Sequence, residues 1–395
     1  MPRPHVLPPV LTTSALLAPL APLAPADQAL RVVTWNVESI GVQGSAAYNA
    51  ARDVLQRIGA DVVAVQEIVS DADAANLLNL ASDLHYNYAT VATGGPFGSD
   101  RAAFMSDLIL LADTAWTAAQ LSGDPAANDL TRYILEAEID LTGQGDLMNL
   151  VVNHWKSGGA NADEYRRAIE TQRMAQVVAR MADDTPFVLM GDVNADVRDG
   201  TPNPLVFTAE PTADLPTGFM TGADIRAQFL TGGLPNDPFP VLANLANILD
   251  AKQVDGGYAT RPSSGRRLDY LFASPTLSLQ GAQVYDCGDE GLLGGLPLEG
   301  QPLPAATCPL ASDHLPVFAD LILPTGGVRP LPTCPPAVGL TAISTPSAMP
   351  VSSNSKFELG GSSGDGSVLK RPIPRGVADR KWFFDPCLRP LIGTE

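Results

Sequence analysis

The stretch Phe187-Val188-Leu189-Met190-Gly191-Asp192-Val193-Asn194-Ala195-Asp196 joins four apolar residues to a glycine and then to oxygen-bearing side chains at every second position. The apolar run predicts a buried strand, and Gly191 lets the chain turn at its end. Because ligands collect at strand ends in sheets flanked by helices, we expect Asp192 and Asn194 to face a cleft. A carboxylate suits a hard cation or a reacting water, and an amide suits a phosphate oxygen.

Two ordinary explanations of this stretch compete with a catalytic one. A calcium loop of the EF-hand type requires glycine at its sixth position and glutamate at its twelfth. Counted from Asp192, those positions hold Val197 and Asn203, which excludes that loop. A simple exit from strand to loop, where Asp and Asn favour turns, stays open for the stretch taken alone.

Composition limits the kinds of partner the protein can bind. The chain has 395 residues, 45% of them hydrophobic, which is enough for one large domain or two ordinary ones with full cores. Its net charge is −18, from 43 acidic and 25 basic residues. Such a surface repels polyanions on average and argues against tight, non-specific nucleic-acid binding. It does not exclude a metal-dependent enzyme that turns over a phosphodiester.

The N-terminus predicts an export signal over residues 1–26. Arg3 and His5 precede an uncharged apolar stretch at 6–23, and Ala24-Pro25-Ala26 offers a small-x-small cleavage site. We therefore expect a secreted or periplasmic protein, with an unstructured Ala/Pro-rich leader as the alternative. The prolines break the segment too often for a membrane span, so we expect no stable membrane insertion. Residues 27–325 form the predicted main domain, and 326–395 a Pro/Ser/Gly-rich tail that we expect to be largely disordered.

Four cysteines all lie in the last third of the chain: Cys287, Cys308, Cys334 and Cys387. None forms a Cys-x-x-Cys pair, which argues against a zinc site. In an exported protein, Cys287–Cys308 could close one loop and Cys334–Cys387 could hold the tail. Four separate thiols are the alternative.

Polar side chains lie at the ends of six predicted strands. Taken singly, each has an ordinary explanation, such as a solvated glutamate, a histidine bonded to backbone or a turn. Six of them together are hard to obtain by chance in a chain with only four histidines. The residues concerned are Asn36, Glu67, His154, Asp192 with Asn194, Asp269, and Asp313 with His314.

This ordered set resembles the endonuclease/exonuclease/phosphatase superfamily related to DNase I, over about residues 30–323. The form Asn153-His154-Trp155-Lys156-Ser157 is most similar to that of the exported bacterial nucleases of the superfamily. The resemblance implies a four-layered α/β sandwich of two packed mixed β-sheets flanked by helices. The matching pieces are Thr34-Trp35-Asn36, Gln66-Glu67, residues 153–157, Gly191 to Asp196, Arg267-Leu268-Asp269-Tyr270 and Ser312-Asp313-His314.

The resemblance also implies a cation site made by Asn36, Glu67 and Asp313. Oxygen ligands of this kind suit Mg²⁺ or Mn²⁺, with Ca²⁺ as a further candidate. A bound cation would neutralise the charge that develops on the phosphoryl group.

The remaining strand-end residues are assigned to proton transfer and phosphate binding. His314 and Asp269 form an acid/base or phosphate-stabilising pair, because the carboxylate can orient the imidazole and raise its pKa. Asp192 is the water-orienting base or a ligand of a second cation. Asn194 and His154 hydrogen-bond the phosphate oxygens.

Two basic residues are candidates for substrate binding, Lys156 and Arg267. Lys156 could equally be a solvated loop charge, and Arg267 could equally pair with an acidic surface. The segment 98–107 departs from the superfamily pattern, in which a residue here contacts the phosphate or a histidine. Asp100 or Arg101 is the candidate partner of His154.

The sequence therefore predicts an exported, metal-dependent phosphodiesterase, monomeric and most similar to nucleases acting on DNA or RNA. Hydrolysis of a sphingomyelin-type phospholipid or of a sugar or inositol phosphate is the alternative among enzymes. A catalytically inactive binding module on the same fold is the alternative outside them.

Overall fold

The computed structural model describes residues 29–323, apart from residues 99, 144, 183 and 200–204. The chain divides into two compact units, Met1–Arg329 and Pro330–Glu395, and all described residues belong to the first. The predicted signal peptide and the whole predicted tail, with Cys334 and Cys387, lie outside the described residues. Within the described part, no helix is long and apolar enough to cross a bilayer.

The described residues form strands and helices in mixed order. The strands are β1 (Ala29–Asn36), β2 (Val62–Ile68), β3 (Tyr88–Val91), β4 (Arg101–Ser106), β5 (Ile109–Trp116), β6 (Ile134–Asp140), β7 (Leu147–His154), β8 (Phe187–Asp192), β9 (Val206–Phe207), β10 (Leu234–Pro235), β11 (Asn247–Ile248), β12 (Asp269–Ala273), β13 (Ser278–Val284) and β14 (Val317–Ile322). The helices are α1 (Ala46–Ile58), α2 (Asp71–Asp83), α3 (Ala118–Ser122), α4 (Asn161–Val178), α5 (Ala223–Gln228), α6 (Phe239–Leu245) and α7 (Thr307–Ala311).

Two six-stranded sheets form the centre of the domain. The first has the strand order β13-β14-β1-β2-β4-β3, and the second has the order β11-β12-β8-β7-β6-β5. Each contains one parallel pair, β1–β2 in the first sheet and β7–β8 in the second, among antiparallel neighbours. Both sheets are therefore mixed, as predicted.

The alternation of side chains along the strands explains the layers. In β7, Leu150 and Val152 pack in the core cluster that contains both sheets, whereas Val151 points the other way, into a second cluster. That second cluster includes Met174 and Val177 from α4. Helices α1 and α2 pack against the first sheet in the same manner. Apolar faces on both sides of each sheet thus give the predicted four-layered α/β sandwich.

Gly191 permits a close backbone approach in the second sheet. It has a φ of 144°, and a Cβ atom built there would lie 1.9 Å from the carbonyl oxygen of Asn153 on β7. Any side chain would therefore separate the parallel strands β7 and β8 at the point where both end. The glycine keeps the two strand ends in register, with His154 opposite Asp192.

Three local features differ from the sequence-based expectation or extend it. The pattern of Met105–Leu111 predicts a single strand, but β4 ends at Ser106, whose hydroxyl accepts from the backbone N–H of Leu108 and closes a turn. The polar, glycine-containing strand β13 gave no apolar pattern and was not predicted. Cys287 and Cys308 form a disulfide, the first of the two pairings considered.

Candidate active site

Five strand ends meet at one edge of the two sheets. The carboxyl ends of β1, β2, β7 and β8 lie there, together with the first residue of β12. Sheet register places Asp192 directly between two neighbours, His154 on one side and Asp269 on the other. The polar residues that follow the apolar runs are therefore brought together because the strands share one edge.

Asn36 connects the acidic groups of the two sheets. Its amide Nδ2 donates to Glu67 Oε1 at 2.9 Å and to Asp192 Oδ2 at 3.1 Å. Its Oδ1 accepts from the backbone N–H of Glu38 at 3.0 Å. The side chain is almost fully buried, so these bonds fix its orientation.

An irregularity in β2 turns Glu67 toward this amide. The β2–β4 register shifts between Val65 and Ile68, and Glu67 has a φ of 66°. A shift of this kind re-aims one side chain, and a positive φ in a residue with a Cβ costs energy that packing must offset. Burial, opposed by the Asn36 hydrogen bond, raises the pKa of the Glu67 carboxyl.

Hydrogen bonds fix both the imidazole ring and the backbone of His314. Its Nδ1 lies 2.7 Å from Asp269 Oδ2, and both side chains are buried. Its backbone N–H donates to the Ser312 hydroxyl, which in turn donates to the carbonyl of Asn36. Its carbonyl accepts from the Trp35 indole at 2.9 Å. The segments Thr34-Trp35-Asn36 and Ser312-Asp313-His314, far apart in sequence, thus support each other.

Burial and like charge set the protonation of this cluster. Burial, reinforced by the neighbouring Asp269 carboxylate, raises the pKa of Asp192 to about 7. Burial alone would lower the pKa of His314, but the Asp269 carboxylate overcomes it and raises the value to about 9. The Asp269 carboxylate therefore favours the cationic form of His314, whereas burial favours the protonated form of Asp192.

His154 stands on the other side of Asp192 and has the opposite character. Its Nε2 lies 3.5 Å from Asp192 Oδ2 and 3.7 Å from Glu67 Oε1. Burial and the nearby Arg132 guanidinium hold the pKa of its imidazole well below 6.5, so it is neutral. A neutral imidazole can donate from one nitrogen to a phosphate oxygen.

Asp100 and Arg132 complete the site next to His154. Arg132 donates through Nε to Asp100 Oδ2 at 3.0 Å, and through Nη1 to the carbonyls of His154 and Trp155 at 3.3 Å each. Asp100 was one of two candidates from the sequence, whereas Arg132 was missed. The only signal for Arg132 was its position just before β6, which is uninformative until the strands are assembled.

The donor set suits a divalent cation. Within the described residues, ligand atoms converge to within 4.8 Å of one another in two groups, Glu67–Asp100–His154 and Asp192–Asp269–His314. Carboxylates predominate, and the raised pKa values of Glu67 and Asp192 reflect the cost of burying negative charge that a cation would offset. Oxygen-rich sites of this type are bound by hard divalent ions.

Asp313 has a different partner from the other predicted cation ligands. Its Oδ2 accepts from Arg261 through Nε at 3.0 Å and Nη2 at 2.8 Å, and it belongs to neither ligand group of the described residues. Asn36 and Glu67 are brought together, and Asp313 lies beside them only through His314, whose Nε2 is 3.8 Å away. Its role as a cation ligand stays a prediction.

The other predicted site residues differ in what their side chains contact. Asn194 has a φ of 51° and donates to the carbonyl of Trp155, while its backbone N–H donates to Asp192 Oδ1. Lys156 Nζ lies 3.1 Å from Asp163 Oδ1 at the start of α4. Arg267 is buried, donates to the carbonyl of Leu249, and lies over the Tyr270 ring. The part that Lys156 and Arg267 play in substrate binding stays a prediction.

Comparison with known proteins places the chain in a family. Solved structures with a similar backbone include an endonuclease/exonuclease/phosphatase from Beutenbergia cavernae (18% identity, TM-score 0.48, covering 75% of this chain and 72% of that one). They also include a humanized D. rerio TDP2 (16%, 0.43, 74% and 98%) and the human Nocturnin catalytic domain with bound sulfate (16%, 0.43, 75% and 96%). A search of curated proteins found no match. We base the assignment on the sequence alone: residues 33–314, well over half of the chain, match the Endonuclease/Exonuclease/phosphatase family, and the protein belongs to it.

Proposed function

We propose that the protein is an exported, divalent-metal-dependent phosphodiesterase that hydrolyses nucleic acid. Family membership supports hydrolysis of a phosphoester. The geometry at Asp192 supports the chemistry, because this carboxyl lies between the His314–Asp269 pair and the neutral imidazole of His154. The single observation that supports the proposal most is the buried His314–Asp269 contact of 2.7 Å beside Asp192.

In the proposed reaction, Asp192 orients a water and takes its proton as the water oxygen attacks phosphorus. The bond to the leaving oxygen breaks, and that oxygen takes a proton from solvent, to which Asp192 later returns its own. His314, kept cationic by Asp269, stabilises the extra negative charge on the phosphoryl oxygens. Mg²⁺ or Mn²⁺ bound at the Glu67 carboxylate would add charge neutralisation at the phosphoryl group. Asn36 would join it as an oxygen ligand if its amide turned to bring Oδ1, in place of Nδ2, toward Glu67.

Substrate positioning falls to groups on the His154 side. His154 and Asn194 offer hydrogen-bond donors to the phosphate oxygens, and Arg132 adds a guanidinium beside them. The surface is acidic overall and Arg132 is already paired with Asp100, so a polyanionic substrate would need bound cations to approach the acids.

The test is hydrolysis of plasmid DNA and of bis-p-nitrophenyl phosphate, each with Mg²⁺, with Mn²⁺ and with EDTA. We expect both substrates to be cleaved only with metal, and a His314→Ala variant to lose activity by about 10²–10⁴-fold. His85→Ala, at an exposed histidine, is the matched control and should retain activity. Cleavage that persists in EDTA, or in His314→Ala, would contradict the proposal.

A smaller diester is the second candidate substrate. The net charge of −18 favours a substrate with fewer phosphates than DNA or RNA, such as a phospholipid head group or an inositol phosphate. Cleavage of bis-p-nitrophenyl phosphate without cleavage of DNA or RNA would favour this candidate. A folded protein that binds Mn²⁺ and cleaves neither would favour an inactive binding module.

Export is proposed on two grounds. The residues at 1–26 have the charge and apolar pattern of a signal peptide. The Cys287–Cys308 disulfide supports an oxidising compartment, where such bonds persist. Expression of the full chain with an assay of the culture medium and periplasm would test this, and retention of the uncleaved chain in the cytoplasm would contradict it.

A further inference from the structure

Two phenylalanines from distant segments meet around a buried arginine. The rings of Phe97 and Phe219 lie 5.6 Å apart at an interplanar angle of 38°, and both are half-buried. The guanidinium carbon of Arg166, on α4, lies 5.7 Å from the centre of each ring. An arginine beside aromatic faces is attracted to them and presents a flat, cationic surface.

Arg166 has donors that the described protein does not use. The residue is 5% exposed, and its buried Nε and Nη2 have no hydrogen-bond partner among the described residues. Buried guanidinium donors are normally bonded, because leaving them unpaired costs free energy. Burial also lowers the pKa of Arg166. Unpaired donors of this kind suit acceptor atoms on a bound molecule.

This aromatic cluster adjoins the candidate active site. Phe97 is followed by Gly98, where a Cβ atom would lie 3.5 Å from Cγ of Arg132. Arg132 binds Asp100, and Asp100 lies with Glu67 in one of the two ligand groups. A molecule bound at the cluster would therefore lie next to a phosphate bound at the site.

Phe219 belongs to a segment that is well anchored. The neighbouring Met220 exchanges two backbone hydrogen bonds with Asn128, at 2.8 and 3.2 Å. The Thr221 hydroxyl lies 3.0 Å from the Tyr165 hydroxyl. A platform fixed in this way can bind a planar group with little loss of its own conformational entropy.

We propose that Phe97, Phe219 and Arg166 form a subsite for a nucleobase adjoining the scissile phosphate. The inference rests on the proposed function and narrows it to nucleotide diesters. Half-buried ring faces suit a planar, uncharged group, and the arginine donors suit the carbonyl or ring-nitrogen acceptors that every base presents. A bare phosphate would gain nothing from the two phenyl rings.

The test compares two diesters that differ only in the base-bearing group. Thymidine 5′-(p-nitrophenyl phosphate) carries a base, and methyl p-nitrophenyl phosphate does not. We expect the wild-type protein to prefer the thymidine diester in kcat/KM, and Phe219→Leu and Phe97→Leu each to reduce that preference about tenfold, mainly through KM. Phe219→Tyr, which keeps a ring, should retain the preference.

Phe229→Leu is the matched control. Phe229 lies in the same aromatic region, with its ring 6.3 Å from that of Tyr165, but does not contact the Phe97–Phe219 pair in the described contacts. The preference of this variant for the thymidine diester should equal that of the wild type. A preference unchanged in Phe219→Leu and Phe97→Leu, or equal losses on both substrates, would overturn the subsite and leave the rings as packing.

A binding measurement separates this inference from the proposed function. With EDTA present, quenching of a short oligonucleotide containing 2-aminopurine reports base stacking without hydrolysis. Quenching by the wild type that is lost in Phe219→Leu supports the subsite even if neither diester is cleaved. Equal quenching by both proteins, or none by either, overturns it.

Discussion

Two buried groups of charged residues in this protein differ in how completely they are satisfied. One is the site cluster of Asp192, Asp269 and His314. The other, here called the α4 cluster, consists of Arg173 on α4 and the two aspartates on either side of it, Asp129 and Asp224. Both contain two carboxylates and one cation, and both are largely withdrawn from water.

In the α4 cluster, the guanidinium and both carboxylates are hydrogen-bonded. Arg173 donates from Nε and Nη2 to the two oxygens of Asp129, at 3.0 and 2.5 Å, and from Nη1 to Asp224 at 2.6 Å. Asp129 also accepts from the backbone N–H of Gly222, and Asp224 from Gln176. Paired forks of this kind are the strong form of an ion pair. This cluster joins α4 to the segment around α5.

The site cluster is left incomplete. Asp269 Oδ1 and His154 Nδ1 are buried without a partner among the described residues, and the pKa of Asp192 is raised. Unsatisfied, crowded acids cost folding free energy but remain able to gain a proton, a cation or a substrate. Burial of charged groups therefore does not by itself identify a site. Buried charged groups that lack hydrogen-bond partners, at the edge where the strands end, do.

Asp269→Asn should show the largest effect. Asparagine keeps an oxygen facing His314 Nδ1 and removes the negative charge that crowds Asp192. We expect kcat to fall about 10³-fold, because the imidazole loses the charge that keeps it cationic, while the free energy of unfolding changes by less than about 1 kcal/mol. Kinetics and chemical denaturation measure both. A variant that is strongly destabilised but keeps its activity would show that Asp269 serves stability and not catalysis.

Arg173→Met should give the converse result. Removing the guanidinium leaves Asp129 buried and unpaired, which costs about 3–5 kcal/mol of stability. Well below the melting temperature, kcat should stay close to the wild-type value because the cluster does not touch the site. Denaturant titration measures the first quantity and steady-state kinetics the second. A large loss of kcat in a folded variant would show that the α4 cluster acts on the site.

Glu290→Gln tests how the stability contributed by a paired carboxylate outside both clusters varies with pH. Hydrogen bonds from Arg57 lower the pKa of Glu290 to about 2, with Tyr285 adding to the effect. A lowered folded-state pKa contributes stability that is present above the unfolded value and is lost as pH falls through the folded one. The variant should be about 1–2 kcal/mol less stable at pH 7, and the difference should shrink between about pH 4.5 and pH 2. A difference that does not vary with pH would exclude this charge effect.

Lys156→Met should show the smallest effect. The pairing of Lys156 with Asp163 is partly exposed and contributes about 0–1 kcal/mol. If Lys156 also binds substrate, as predicted, the KM for DNA should rise a few-fold at low salt, and the rise should fade at high salt through screening. Kinetics at two ionic strengths measure this. A KM equal to that of the wild type at low salt would leave Lys156 with its contacts to Asp163 and the Ser157 carbonyl and no part in substrate binding.

The fold followed from the sequence wherever an apolar run was long and ended in a turn residue. The helical spacing of Val54, Leu55 and Ile58, followed by Gly59, predicts helix α1, and Gly59 caps it in the left-handed conformation. The pattern of Met105–Leu111 predicts one strand, but Ser106 and Asp107 break it, and the Ser106 hydroxyl closes a turn between β4 and β5. Strand β13 could not be predicted, since its neighbour β14 and not its own pattern makes it a strand.

The site was predictable only in part for a related reason. Residues at strand ends, such as Asp192, can be assigned because the end of an apolar run is visible in the sequence. Arg132 reaches the site through the pairing of β6 with β7, which no local pattern shows. Arg267 lies two residues before Asp269, but β12 begins only at Asp269, so strand alternation does not fix where its side chain goes. It is buried over the Tyr270 ring, a contact that no local pattern shows.

The antiparallel pairing of β1 with β14 has a consequence for engineering. Ala29 lies opposite Ile322, so the two ends of the described domain are neighbours in the same sheet. Asn36 is at the other end of β1, about 23 Å away along an extended strand. A short linker between residues 323 and 29 could close the domain into a ring, with new ends opened in an exposed loop. Such a circular permutant would leave the catalytic edge untouched.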